Sequence, residues 1–153
     1  HRSIDTYTDS HETVKKSSSY FHETQHKFAP IIIDVIYDYF LIKYWNNFSE
    51  TPFEKFKTDC YQLFKDEYNS FPKKLQETIF YLLKYDWFKN YSTIEGVQKT
   101  LKGIGSRAKF ENNLHQIIPE FEKNYANLET DFLSFFPQIQ THCKNFVFVD
   151  SEA

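Results

Sequence analysis

Apolar residues recur at spacings of three and four along most of the chain, which is the period of an amphipathic α-helix. One stripe of this kind begins after Pro52 and consists of Phe53, Phe56, Cys60, Leu63, Phe64, Tyr68 and Phe71. A second begins after Pro72 and consists of Leu75, Ile79, Leu82, Leu83 and Phe88. Proline is typical of the positions where helices start. The pattern therefore predicts two consecutive helices here.

The same period continues in the second half of the chain. It predicts a short helix that starts at Thr93 and ends at a glycine cap at 103–105. Pro119 and Pro137 are expected to start, kink or interrupt helices, and the tail at 145–149 is expected to be irregular. A last long helix is indicated by Phe121, Tyr125, Leu128, Phe132 and Phe135. We predict an all-α fold.

The segment at 30–45 differs because it is apolar on every side, which is typical of a buried central helix. Asp34 and Asp38 lie inside it, four residues apart, and therefore on one face at about 6 Å from each other. Two carboxylates buried together repel one another and lose solvation. The sequence predicts a divalent metal, an arginine or a helix N-terminus opposite them.

Composition narrows the class of protein. The chain has 153 residues, of which 41% are hydrophobic and 25% charged, and this balance excludes disorder and favours one compact helical domain over residues 1–153. Three glycines and five prolines are too few for a turn-rich β-sandwich. A net charge of −3 argues against nucleic-acid binding.

The cysteines and the apolar runs of the sequence bear on its cellular location. Cys60 and Cys143 are far apart, which is typical of free thiols in a reducing cytoplasm rather than of a zinc site or a disulfide framework. The given sequence opens without a signal-peptide pattern, and it contains no apolar run long enough to span a membrane. We expect a cytoplasmic protein. Because the chain starts at His1 and has no methionine, we also expect it to be a fragment.

The first residues contain a candidate metal site. If they are helical, His1 and Asp5 share a face, and Asp9 follows one turn later. Imidazole and carboxylate groups at this spacing can bind a divalent metal. The alternatives are a hydrogen-bonded surface pair for His1 and Asp5 and, for Asp9, a helix N-cap.

Two further motifs have weaker support. His22-Glu23-Thr24-Gln25-His26 matches the zinc-peptidase pattern H-E-x-x-H, with two histidine ligands and Glu23 as general base, but Pro30 follows closely. The Gly103–Arg107 region is similar to a phosphate loop, yet it lacks the preceding strand. Arg2 and Arg107 are the only two arginines, and each could bind phosphate, although a structural or solvated role is the simpler interpretation.

A family resemblance joins two of these features. The sequence His-Arg-Ser-Ile-Asp at 1–5, followed by Thr8 and Asp9, and the segment at 29–41 that contains Asp34 and Asp38 resemble the bacterial acyl carrier protein phosphodiesterases. The similarity extends through Trp45, Trp87, Tyr91, the region at 105–107 and the stretch at 128–137. It covers nearly the whole chain.

The resemblance implies a metal-dependent hydrolase that usually uses Mn²⁺. Its reaction would cleave the phosphodiester between phosphopantetheine and a serine of holo acyl carrier protein, giving the apo carrier. It also implies an architecture similar to HD-domain phosphohydrolases. His1 and Asp5 would be metal ligands. Asp34 and Asp38 would be ligands, partners of the ligands, or one of them the base, and Asp34 is the candidate for a third ligand. Arg2 or Arg107 would hold phosphate oxygens.

The resemblance has consequences for partners as well. The carrier is acidic, so a lysine-rich rim near the site is expected. Members of the family usually have a further segment before the H-R-x-I-D motif, and its loss would expose apolar surface through which two copies could form a homodimer. Three alternatives remain: another HD-type phosphohydrolase, a zinc peptidase, and a helical interaction domain without enzymatic activity.

Overall fold

The computed structural model describes residues 2–152, with side chains described as far as residue 146. Within this range all regular elements are helical, and the prediction of an all-α fold is confirmed. The α-helices are α1 (Arg2–Ser10), α2 (Glu12–Gln25), α3 (Ala29–Lys43), α4 (Trp45–Phe48), α5 (Phe53–Asp66), α6 (Lys73–Lys84), α7 (Trp87–Asn90), α8 (Ile94–Arg107) and α9 (Ile118–Glu152). Short 3-10 turns lie at His26–Phe28, Tyr68–Ser70 and Leu114–Gln116.

Helix starts follow local chemistry. The Nδ1 atom of His11 accepts a hydrogen bond from the Thr13 amide at the start of α2. At the start of α8, Thr93 Oγ1 accepts one from the Gly96 amide at 2.9 Å. Pro52 and Pro72 directly precede α5 and α6, as the sequence predicted.

Two predicted boundaries are wrong. Helix α8 continues through Gly103 and Gly105 to Arg107, so these glycines are not a helix cap. The tail at 145–149 is helical because α9 runs on to Glu152. Pro119 is the second residue of α9, where its missing amide hydrogen costs nothing, and Pro137 lies inside α9 without ending it.

Helix α3 is the centre of the core. It packs against α2, α8 and α9, while α2 also packs along α9. The 3-10 turn at Leu114–Gln116 closes the core against α8. The largest fully buried side chains are mostly aromatic and branched: Phe21, Phe40, Phe121, Phe132, Ile32, Ile33, Ile36, Leu101, Leu114 and Ile117.

Helices α5 and α6 form an arm outside this core. None of the described residues from 49 to 93 belongs to the main hydrophobic cluster. Helix α5 has no fully buried residue, and α6 has only Ile79. Trp45 holds the base of the arm, since its ring lies 4.7 Å from that of Phe56 between centroids.

No helix between residues 2 and 152 has the length and apolar composition needed to cross a membrane. The HD-domain-like architecture stays a prediction.

Candidate active site

A cavity of about 500 Å³ opens between α1, α3 and α9. Four carboxylates line it: Asp5 and Asp9 from α1, and Asp34 and Asp38 from α3. The sequence placed each pair on one helix face, and the fold brings the two faces together. Asp9 lies inside α1, and the N-cap of α2 is His11, so the helix-cap alternative for Asp9 is wrong.

Asp34 and Asp38 do not lie in the protein interior. Ile31, Asp34 and Asp38 form an exposed line along α3, whose other sides are buried. The expectation that α3 is apolar on every side is therefore wrong along this line. The carboxylates are at the cavity mouth, where solvent reaches them although protein surrounds much of each group.

Contacts with α9 hold α1 in place. A hydrogen bond of 2.8 Å joins Ser3 Oγ to His142 Nε2, and the Tyr7 ring stacks on His142 at 4.3 Å between centroids. At the end of α1, His11 Nε2 and Gln138 Oε1 are 2.9 Å apart. These contacts keep the Asp5–Asp9 face directed towards α3.

The charges of neighbouring carboxylates act on Asp34 and Asp38. The pKa of the Asp34 carboxyl is raised by burial, and further by the charges of Asp9 and Asp5. Burial, assisted by the charge of Asp34, raises the pKa of Asp38 to about 6. Within the described residues no lysine or arginine forms an ion pair with Asp34 or Asp38. The site therefore concentrates negative charge near pH 7 and favours a bound cation.

One wall of the cavity is apolar. It is formed by one residue of α3 and four of α9: Leu41, Phe132, Phe135, Phe136 and Ile139. The carboxylates thus face a hydrophobic surface across the same cavity. This arrangement suits a ligand with one charged and one apolar part.

A buried hydrogen-bond network lies beside the cavity. Ser17 Oγ donates to Asp131 Oδ2 at 2.9 Å, and Ser17 Oγ and Tyr37 Oη are 2.6 Å apart. Since the Ser17 proton is directed to the carboxylate, the Tyr37 hydroxyl donates to Ser17. The network fixes the Tyr37 ring in the cavity wall.

Asp131 was missed by the sequence analysis, although the sequence contains a signal for it. It lies at the spacing of Leu128 and Phe135 in α9, which places a carboxylate on the buried stripe, and it is only 4% exposed. A charged residue at such a position needs partners, and Ser17 and Lys16 provide them.

Tyr91 directly follows α7, and its hydroxyl is within the electrostatic reach of Asp38. Burial raises the pKa of the Tyr91 hydroxyl, and the charge of Asp38 adds to this effect. Gly96 explains how the end of α7 reaches this place: a Cβ atom there would collide with the backbone of Asn90. The absence of a side chain lets α8 approach the end of α7.

The predicted site residues are only partly brought together. Asp5, Asp34 and Asp38 share the cavity, whereas His1 lies outside the described residues. Arg2 lines a separate surface depression with Ser3, Tyr7 and His142. Arg107 is exposed at the end of α8 and does not line the cavity.

The carboxylate oxygens that line the cavity suit a divalent cation, because Mn²⁺ and similar ions prefer such oxygens as ligands. Within the described residues, however, no three His, Cys, Asp or Glu side chains lie close enough to hold one ion. The candidate ligands Asp5 and Asp34 therefore fit such an ion in chemistry, without forming a complete ligand set in the described part.

The H-E-x-x-H segment crosses the end of a helix. Helix α2 ends at Gln25, and His26 has a positive φ of 49°. His22, Glu23 and His26 are all exposed and do not line the carboxylate cavity. A zinc-peptidase site has both histidines on one regular helix, so the zinc-peptidase alternative lacks structural support.

The similar proteins all carry the same name. The chain is 28% identical over 146 residues to the acyl carrier protein phosphodiesterase of Enterobacter sp. (strain 638), covering 95% of this chain and 76% of that protein. The corresponding protein of Klebsiella pneumoniae (strain 342) has the same identity and coverage. That of Escherichia coli O157:H7 is 28% identical over 140 residues, covering 91% and 72%. No solved structure matches the chain.

The family match extends over residues 1–139, which include both aspartate pairs and the apolar wall up to Ile139. The chain belongs to the acyl carrier protein phosphodiesterase family.

Proposed function

We propose that this chain is a metal-dependent phosphodiesterase that releases phosphopantetheine from holo acyl carrier protein in the bacterial cytoplasm and leaves the apo carrier. The observation that carries the proposal is the convergence of Asp5, Asp9, Asp34 and Asp38 on one cavity in a member of this family. Mn²⁺ is the proposed metal, with His1, Asp5 and Asp34 as its ligands.

The charge of the cavity supports a metal-dependent reaction. Burial and the charges of Asp9 and Asp5 raise the pKa of Asp34, and burial and the charge of Asp34 raise that of Asp38. Within the described residues no lysine or arginine forms an ion pair with Asp34 or Asp38. A phosphodiester is itself negatively charged and would be repelled from such a site without a cation. When bound, the ion would neutralise this repulsion, polarise the phosphate and lower the pKa of a water molecule.

Asp38 is the proposed proton acceptor. A carboxylate with a pKa of about 6 is mostly ionised at neutral pH, yet it is more basic than an ordinary aspartate. It can therefore accept a proton from the attacking water as the water oxygen bonds to phosphorus, and return a proton to the serine oxygen of the carrier as the bond between phosphorus and that oxygen breaks. The charge of Asp38 also acts on the Tyr91 hydroxyl, whose pKa it helps to raise.

The apolar wall has a different role in the proposal. Phe132 and Phe135 are almost completely buried and present ring surface to the cavity. They would limit the access of bulk water and contact the hydrocarbon part of the phosphopantetheine arm. Arg2 and Arg107 remain predicted phosphate-binding residues.

Intact mass spectrometry of holo acyl carrier protein tests the proposal. After incubation with the chain and Mn²⁺, we expect the carrier to lose the mass of phosphopantetheine, and a chelator should prevent this loss. Asp34→Ala and Asp38→Asn should abolish most of the release. His22→Ala is the matched control, because His22 lies away from the cavity and should retain full activity.

A binding measurement separates metal affinity from catalysis. Mn²⁺ should raise the melting temperature of the chain, and Asp34→Ala should reduce that rise. Release of phosphopantetheine in excess chelator would contradict the metal-dependent reaction. Loss of activity on His22→Ala with activity retained by Asp34→Ala would favour the peptidase motif instead.

A further inference from the structure

The outer side of α6 presents an unusual surface to solvent. Six of the ten large hydrophobic side chains that are exposed in the described part of the chain lie between residues 56 and 85. Three of them, Phe80, Tyr81 and Tyr85, lie together on or directly after α6 and are 51%, 49% and 56% exposed. Soluble proteins seldom leave neighbouring rings this exposed without a partner.

Lysines share this side of the helix. We name the surface formed by Lys73, Lys74, Phe80, Tyr81, Lys84 and Tyr85 the α6 outer face. At 100° per residue these positions span about 140° of the helix circumference, opposite the buried Ile79. Glu77, the single acidic residue of α6, lies within the same arc, so the face carries three lysines against one glutamate, whereas the chain as a whole has a net charge of −3. The face is thus locally basic on an acidic protein.

The rings and the lysines are organised together. The Tyr81 and Tyr85 rings are nearly parallel, with centroids 6.2 Å apart, and Phe80 packs edge-on against Tyr81 at 5.4 Å. Lys84 Nζ lies 5.8 Å from the centre of Phe80 and 5.4 Å from that of Tyr85. Among the described residues Lys73 and Lys74 have no ion-pair partner, whereas Lys55 and Lys57 of α5 both do.

The face is followed along the chain by short elements that lead to Tyr91. Asp86 separates α6 from α7, and Lys57 and Tyr61 hold it at 3.2 and 2.6 Å. Helix α7 ends at Asn90, and the charge of Asp38 acts on the hydroxyl of the next residue, Tyr91. A protein bound on α6 would therefore be joined by a short segment to a residue within the electrostatic reach of Asp38.

We infer that the α6 outer face docks the acyl carrier protein, with Lys73, Lys74 and Lys84 facing carboxylates of the carrier and the three rings covering apolar surface between them. The identity of the partner rests on the proposed function, while the chemistry of the face requires only an acidic protein with apolar patches. Lysines at the edge of such an interface speed association, and the buried rings supply most of the affinity.

The experiment measures docking and hydrolysis separately. Fluorescence anisotropy of labelled apo carrier, which has no bond to cleave, reports Kd for the full chain. Holo carrier reports KM and kcat. The variants are Lys73→Glu/Lys74→Glu and Phe80→Ser/Tyr81→Ser, with Lys99→Glu/Lys102→Glu on α8 as the matched control. All six residues are exposed, and circular dichroism verifies that each variant is folded.

We expect both α6 variants to raise Kd and KM by at least about tenfold with little change in kcat, and the charge variant to lose most of the salt dependence of binding. The α8 control should stay within about twofold of the wild type. Unchanged Kd and KM in the α6 variants would overturn the docking surface. So would a wild-type dimer that Phe80→Ser/Tyr81→Ser converts to a monomer, because the face would then hold a second copy.

The two proposals fail in different ways. If phosphopantetheine is released and the α6 variants have no effect, the proposed reaction is supported and the docking surface is wrong. If carrier binding depends on α6 but no phosphopantetheine is released, the docking surface is supported and the proposed reaction is wrong. Absence of both binding and release by the wild-type chain overturns both.

Discussion

Asp38 lies one helical turn after Asp34 on α3, and the negative charge of Asp34 adds to burial in raising the pKa of Asp38 to about 6. The two residues are therefore not independent. A change at Asp34 alters the proton affinity of Asp38, while Asp9 and Asp5 act on Asp34 in the same way from α1. The proton affinity of Asp38 thus depends on Asp34, and that of Asp34 on the two carboxylates of α1.

This coupling predicts how stability depends on pH. The folded pKa of Asp38 is above the unfolded value of about 3.9, so the folded state binds more protons between about pH 4 and pH 6. Stability should consequently fall as the pH rises through this window. Asp38→Asn removes the cost of holding an ionised carboxylate at this position in the folded state. It should therefore raise the free energy of unfolding at pH 8 by about 1 kcal/mol, a modest figure because solvent reaches the cavity mouth.

Thermal unfolding with excess chelator checks this prediction. The melting temperature of Asp38→Asn should exceed that of the wild type by about 3 °C at pH 8, and the difference should vanish towards pH 4. Glu122→Gln changes an exposed carboxylate of α9 and should have little effect at either pH. A gain of equal size at pH 4 and pH 8 would show that the titration of Asp38 is not its cause.

The same coupling predicts the pH dependence of the proposed reaction. If ionised Asp38 accepts the proton, the rate should rise as the pH increases through the pKa of Asp38. Asp34→Asn removes a negative neighbour, so the remaining activity should have its midpoint at lower pH. Asp38→Asn should lower kcat/KM by about a hundredfold or more. Profiles of kcat/KM against pH provide the measurement, and an unmoved midpoint in Asp34→Asn would disprove the coupling.

Gly96 should tolerate no larger residue. Its Cα faces the backbone of Asn90 so closely that a Cβ atom forces α7 and α8 apart. Gly96→Ala should cost about 1–3 kcal/mol in the free energy of unfolding, because backbone atoms have to move.

Gly103→Ala is the matched control for this change. Gly103 lies in the same helix, and an added Cβ meets only the Arg107 side chain at 3.8 Å. Alanine should therefore stabilise the helix there by about 0.5–1 kcal/mol. Urea unfolding of both variants gives the comparison, and equal effects at the two positions would refute the close approach at Gly96.

Asp131 should be important for stability although it is outside the carboxylate cavity. Asp131→Ala leaves the Ser17 hydroxyl without its acceptor in a buried place and removes the partner of Lys16. We expect a loss of about 2–3 kcal/mol. Thr130→Ala, at the exposed neighbouring position, should change stability by less than about 0.5 kcal/mol in the same chemical denaturation experiment. Similar losses for the two variants would contradict the network.

Much of the fold could be predicted because helices are local structures. The spacing of Phe53, Phe56 and Leu63 predicted α5, and that of Leu75, Ile79 and Leu82 predicted α6. Helix ends were predicted less well. The glycines at 103 and 105 indicated an end of α8, yet packing of this helix against α3 and the turn at Leu114–Gln116 stabilises it as far as Arg107.

The sequence by itself determined the helical class and the two aspartate pairs, because spacings of four residues put side chains on one helix face whatever the surroundings. Only the tertiary structure decided that the two pairs meet across one cavity, since α1 is held against α9 by contacts between residues about 130 positions apart. It also decided that no other described part of the chain packs over the α6 outer face. Exposure depends on packing between distant segments, which the local pattern of residues does not contain.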